Sequence, residues 1–110
     1  VEDHCRAIDV LLGVGTNGET YNIGGGNEVT NLDLTQRILA LLQLPTTMIR
    51  PVADRLGHDR RYALDTTKLR SLGWWPQHVS FNTALEETVN WYVREQWWWR
   101  PLITTKKATA

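Results

Sequence analysis

Arg55-Leu56-Gly57-His58-Asp59-Arg60-Arg61-Tyr62-Ala63-Leu64-Asp65 packs three arginines, a histidine and two aspartates into eleven residues. A segment this charged is buried only where its charges meet partners. Two readings fit the chemistry. One is a solvated strand with surface ion pairs. The other is an anion site, because guanidinium forks are planar, bidentate, permanently charged donors that match a diphosphate. As a strand, the segment alternates. Arg60, Tyr62 and Leu64 share one face, and Arg61, Ala63 and Asp65 the other. The two adjacent arginines therefore serve different surfaces, one a ligand and one a structural carboxylate. The alternation does not choose between them.

Outward from this stretch, helical and extended patterns interleave. Residues 2–12 read as an amphipathic helix with Cys5, Ile8, Leu11 and Leu12 on its apolar face and Glu2 and Asp3 at its electropositive start. Cys5 then reads as a small core residue. Gly13-Val14-Gly15-Thr16-Asn17-Gly18 matches Gly-x-Gly-x-x-Gly in form only. A dinucleotide turn follows a strand and opens a helix. Here a helix precedes, and an expected strand, Thr20 to Ile23, follows. Gly24-Gly25-Gly26-Asn27 ends that strand. Thr30-Asn31-Leu32-Asp33 opens a helix with Leu34, Ile38, Leu41 and Leu42 as its stripe.

Beyond Pro45, Thr47 to Val52 and Arg60 to Leu64 read as strands, joined by a loop that pivots on Gly57. Asp65 or Thr66 caps a short helix that stops at Gly73. Trp74 to Val79 is a loop. Ser80 starts the last helix, with Phe81, Leu85, Val89 and Tyr92 or Val93 on one side. It runs to about Trp99 and ends before Pro101. Trp97-Trp98-Trp99 cannot all face one core, since neighbours on a helix point about 100° apart.

The 110 residues carry 12 basic and 12 acidic side chains and a formal net charge of zero. That balance excludes the basic field expected of a nucleic-acid or membrane-surface protein. No apolar run is long enough for a membrane span. The single cysteine permits no internal disulfide and fits a cytoplasmic location. No cysteine–histidine spacing suggests a metal site.

The quoted stretch, read as Arg-x-Gly-His-Asp-Arg-Arg-Tyr-Ala-x-Asp, resembles the nucleotide-sugar-binding region of dTDP-glucose 4,6-dehydratases, members of the extended short-chain dehydrogenase/reductase superfamily. Val1-Glu2-Asp3-His4-Cys5-Arg6-Ala7-Ile8, Gly18-Glu19-Thr20-Tyr21-Asn22-Ile23-Gly24-Gly25, Asn27-Glu28-x-x-Asn31-Leu32-Asp33, Lys68-Leu69-x-x-Leu72-Gly73-Trp74 and Trp91-Tyr92 follow the same family order. The resemblance implies an α/β fold of about four helices and three short strands. It would be the small C-terminal substrate-binding domain, without the Rossmann domain. Residues 1–103 would form that domain, incomplete on its N-terminal side, and 104–110 a disordered tail.

The same resemblance implies a share in a lyase reaction. In the family, NAD oxidises the sugar at C4, water leaves across C5 and C6, and the hydride returns to C6. This chain would hold the nucleotide diphosphate through Asn31, Arg55, His58, Asp59, Arg60, Arg61 and Tyr62. No Tyr-x-x-x-Lys pair or dinucleotide turn is present, so no residue here is expected to be catalytic or to bind NAD, and the chain is expected to be inert alone. Its expected partners are a dTDP-sugar, a Rossmann domain and further copies of itself. Superfamily epimerases and decarboxylases show a shorter Arg-x-Gly-Asp pattern; His58 and the run Arg60-Arg61-Tyr62 favour the dehydratase. A non-catalytic module that binds a partner through its Trp-rich helix is the reading from another class.

Overall fold

The computed structural model describes residues 1–78 and 80–104. Its helices are α1 (Glu2–Val14), α2 (Asn31–Leu41), α3 (Thr67–Arg70), α4 (Phe81–Arg94) and α5 (Gln96–Thr104), with a 3-10 turn at Thr46–Met48. The expected tail lies, from residue 105 onward, outside the described residues, as does Val79. The chain divides into two compact units, residues 1–30 with 51–78 and residues 31–50 with 80–104.

The expected three short strands are not there: among the described residues no β-strand forms. Thr47 and Met48 lie in the 3-10 turn, where Ile49 N–H donates to the Thr46 carbonyl at 3.0 Å. Residues 20–23 and 61–64 have no regular secondary structure. Period-two patterning favours an extended backbone, but a strand exists only with a backbone ladder to a neighbour. Between these two segments the link is a side chain: Asn22 Nδ2 donates to the Asp65 carbonyl at 3.1 Å. The α/β expectation therefore gives way, among the described residues, to five α-helices joined by irregular segments.

The first unit is built around Ala7, Leu69 and Trp74, with Val10, Leu11 and Ile23 packed against them. Burying a large apolar side chain of this kind contributes roughly 1.5–3 kcal/mol. The buried face of α1 is thus Ala7, Val10 and Leu11, rotated from the expected one. Cys5 is exposed, and Leu12 is 83% exposed. Ala7 admits close approach because it has little side chain; a reading of hydrophobic spacing ranks it below Cys, Ile and Leu and so misses it.

Polar contacts fix this unit. Asp3 accepts the backbone N–H groups of Gln77 and His78 at 3.0 and 3.2 Å, and the Trp74 indole donates to the Asp3 carbonyl at 3.2 Å. Lys68 on α3 pairs with Glu19, donates to the Thr20 carbonyl at 3.0 Å and lies 4.5 Å from the centre of the Tyr21 ring. Its ammonium holds the Glu19 carboxyl below the usual range. These contacts anchor residues 19–21 to α3 without a sheet.

The second unit packs α2 against α4, with Leu39 and Val89 buried. Arg37 donates to Asn82 Oδ1 at 2.6 Å and lies 5.7 Å from the Phe81 ring centre. Ser80 caps α4 as expected, with Thr83 N–H 3.5 Å from its Oγ. The long last helix is broken at Glu95, and its second half runs through Pro101. At the break, side chains satisfy carbonyls that the helix leaves open. Gln96 Nε2 donates to Val93 O at 3.0 Å and the Trp99 indole to Tyr92 O at 2.8 Å. Trp98 meets Trp91 edge-on at 5.4 Å, and the Trp97 indole donates to Glu95 Oε2 at 2.6 Å. Each of the three tryptophans has its own local role, as their angular spacing requires.

Candidate functional site

Six of the seven expected site residues belong to one arm, residues 54–62, in the first unit. All of its residues are exposed. A tight turn opens it: His58 N–H donates to the Arg55 carbonyl at 3.2 Å, and Gly57 takes φ 69°, a conformation glycine enters at little cost. Asp54 Oδ1 accepts from Arg55 N–H at 2.9 Å and lies 3.4 Å from His58 Nδ1. The imidazole is thus turned back on its own loop.

Of the two adjacent arginines, one has a carboxylate partner. Arg61 Nη1 lies 3.1 Å from Glu28 Oε2. Arg60 has no hydrogen-bond or ion-pair partner among the described residues, and neither has the Arg55 guanidinium. Tyr62 is 68% exposed. An exposed guanidinium without a carboxylate keeps its full fork of donors for an incoming anion. Asn31 is the first residue of α2 and belongs to the second unit. Its carbonyl accepts from the Thr35 hydroxyl at 2.7 Å.

Two carboxylates escaped the sequence reading: Glu28 and Asp54. Asp54 sits four residues before His58, a spacing visible in the sequence. Glu28 is 33 residues from Arg61, and only its place beside Asn27 in a recognised motif marks it.

The turn at residues 13–18 does not fit a dinucleotide turn. It leaves α1 and enters a segment without regular structure, so it opens no helix. Gly15 is required by its neighbours instead, since a Cβ there would lie 2.5 Å from the Leu11 carbonyl oxygen. No group of three or more metal-ligating side chains occurs among the described residues. No helix among them is long and apolar enough to cross a membrane.

No family model matches the sequence. Individual relatives do. The chain is 51% identical to a dTDP-glucose 4,6-dehydratase of Streptomyces niveus, over 100% of its own length and 33% of the relative's. It is 41% identical to the dTDP-glucose 4,6-dehydratase of Escherichia coli, over 94% of its length and 32% of the relative's. A crystal structure of a Streptomyces venezuelae dTDP-glucose 4,6-dehydratase, with NAD and a second ligand bound, superposes with a TM-score of 0.83 at 50% identity. It covers 92% of this chain and 31% of that one. The Bacillus anthracis enzyme in complex with NAD gives 0.81 at 46% identity, over 92% and 32%. The chain spans about a third of the length of the curated relatives it matches.

Proposed function

From a chain that belongs to the dTDP-glucose 4,6-dehydratase family, as a segment of about a third of its members' length, we propose a share in substrate binding. The 54–62 arm holds the nucleotide diphosphate of dTDP-glucose, and the rest of such an enzyme dehydrates the sugar. The observation that carries this is the pair of exposed guanidiniums without carboxylate partners, Arg55 and Arg60, on one short arm. Each is a permanent cation with planar donors, so the arm offers charge-assisted hydrogen bonds to phosphate oxygens.

The roles divide among the side chains. Arg60 and Arg55 bind phosphate oxygens. His58, its Nδ1 near Asp54, leaves Nε2 for the ligand. Tyr62 offers a ring face and a hydroxyl. Arg61 is committed to Glu28. Asp59 supplies an acceptor for the nucleoside or the sugar. The arm brings no group that takes a hydride from the sugar, so the chain by itself is expected to bind without turning over. NAD belongs to the whole enzyme, as in the related crystal structures, and no step here runs through it. Calorimetric titration of the chain with thymidine diphosphate tests the reading. Saturable binding that Arg60→Ala weakens supports it, and an absence of binding overturns it.

A further inference from the structure

We propose that Glu28 is a positioning residue of this site, which tethers the binding arm through Arg61 and so removes Arg61 from the set of ligand-facing cations. The proposal rests on the nucleotide-binding reading for its consequence, but its geometry stands apart from it. Residues 54–62 make polar contacts of two kinds. The contacts Asp54–Arg55, Arg55–His58 and Asp54–His58 close within the arm itself. The Arg61–Glu28 ion pair, at 3.1 Å, is the one polar tie among the described residues from this arm to a distant part of the chain.

Two consequences follow. Without the tie, an arm whose every side chain is exposed has little packing to fix it. Its cations would then lose conformational freedom only on meeting a ligand, which lowers affinity. With it, Arg61 is neutralised, while Arg60 has no carboxylate partner among the described residues. Glu28 also follows residues 24–27, which have no regular structure but pack closely at Gly24. A Cβ on Gly24 would lie 3.5 Å from Leu64 Cβ, so the two segments already touch beside the ion pair. An exposed ion pair contributes little to global stability. Its effect here is local order, which is why stability alone is the wrong measurement.

The test uses the full chain, labelled with ¹⁵N, and four forms: wild type, Glu28→Gln, Arg61→Gln and the swap Glu28→Arg with Arg61→Glu. The first readout needs no ligand. Heteronuclear NOE values over residues 54–62 are expected to fall in both single variants and to recover in the swap. The second is affinity for thymidine diphosphate. Both single variants should weaken it by about two- to fivefold, the scale of one exposed ion pair, and the swap should restore it. Unchanged NOE values in Glu28→Gln overturn the tether. A swap that restores arm order but not affinity overturns the positioning role and makes Arg61 a direct ligand contact. If the wild type binds no thymidine diphosphate, the nucleotide-binding reading and the positioning role fall together, while the NOE values still decide whether the tether exists.

Discussion

Asp3 and His78 meet across 75 positions of sequence: the Asp3 carboxylate accepts the backbone N–H of His78 at 3.2 Å and lies 3.0 Å from its ring Nδ1. With Gln77 N–H at 3.0 Å and Arg6 Nη1 at 3.2 Å, one carboxylate gathers the start of α1 and the loop after Trp74. Removing it leaves several donors without an acceptor. Asp3→Ala is expected to destabilise the first unit by about 1–3 kcal/mol, measured by urea denaturation.

The same carboxylate sets an acid limit. The Gln77 backbone N–H, followed by the His78 ring and N–H, lowers its pKa from 3.8 to about 2, against partial desolvation that pushes the other way. A carboxyl with a depressed folded pKa stabilises fully above its unfolded value and loses that contribution as pH falls through its folded value. Asp3 thus supports the fold above 3.8 and ceases to do so near pH 2. Thermal melts followed by circular dichroism should show the Asp3→Asn chain losing less stability than wild type over this interval.

Two glycines of the Gly13–Gly18 turn should respond in opposite directions. A Cβ at Gly15 would meet the Leu11 carbonyl oxygen at 2.5 Å, a backbone atom that cannot step aside, whereas nothing lies within 4 Å of a Cβ at Gly13 inside α1. Gly15→Ala should cost roughly 1–3 kcal/mol by overpacking. Gly13→Ala should stabilise by about 0.5–1 kcal/mol through lower unfolded-state entropy. Midpoints from the same denaturation experiment check both.

Helix α2 closes with Leu44 N–H on the Leu39 carbonyl at 2.8 Å and Gln43 N–H on Ala40 at 3.1 Å, with Gln43 at φ 54°. That hydrogen-bond pair is the Schellman motif, which glycine fills best. Gln43→Gly is therefore expected to raise stability by about 0.5–1 kcal/mol, visible as a higher melting temperature.

Arg60→Ala should weaken thymidine diphosphate binding far more than Arg50→Ala. Arg60 is an unpartnered cation on the arm, and Arg50 lies in the other unit. A lost charge-assisted contact costs roughly 1.5–3 kcal/mol, which is more than a tenfold change in Kd. Equal, small effects in calorimetry would remove Arg60 from the site.

Helix positions were legible in the sequence because caps and apolar spacing are local signals. Asp65 does accept Thr67 N–H at 2.9 Å at the head of α3, and Ser80 does begin α4. Strands were not legible, because Thr20 to Ile23 carries the period of a strand whether or not a ladder forms. The split at Glu95 depends on the reach of Gln96 and Trp99 to open carbonyls, which no pattern of propensities contains. The arm was legible as a cluster of charge, but the expected alternation of Arg60 and Arg61 across a strand has no strand to rest on. Which of them takes the structural carboxylate depends on Glu28, a contact between distant residues that only the folded chain supplies.

The most direct measurement is a ¹⁵N chemical-shift titration of the intact chain with thymidine diphosphate. The account predicts saturable shifts at Arg55, His58, Arg60 and Tyr62. Shifts that do not saturate, or that fall on α4 and α5 and leave residues 54–62 unmoved, would contradict it.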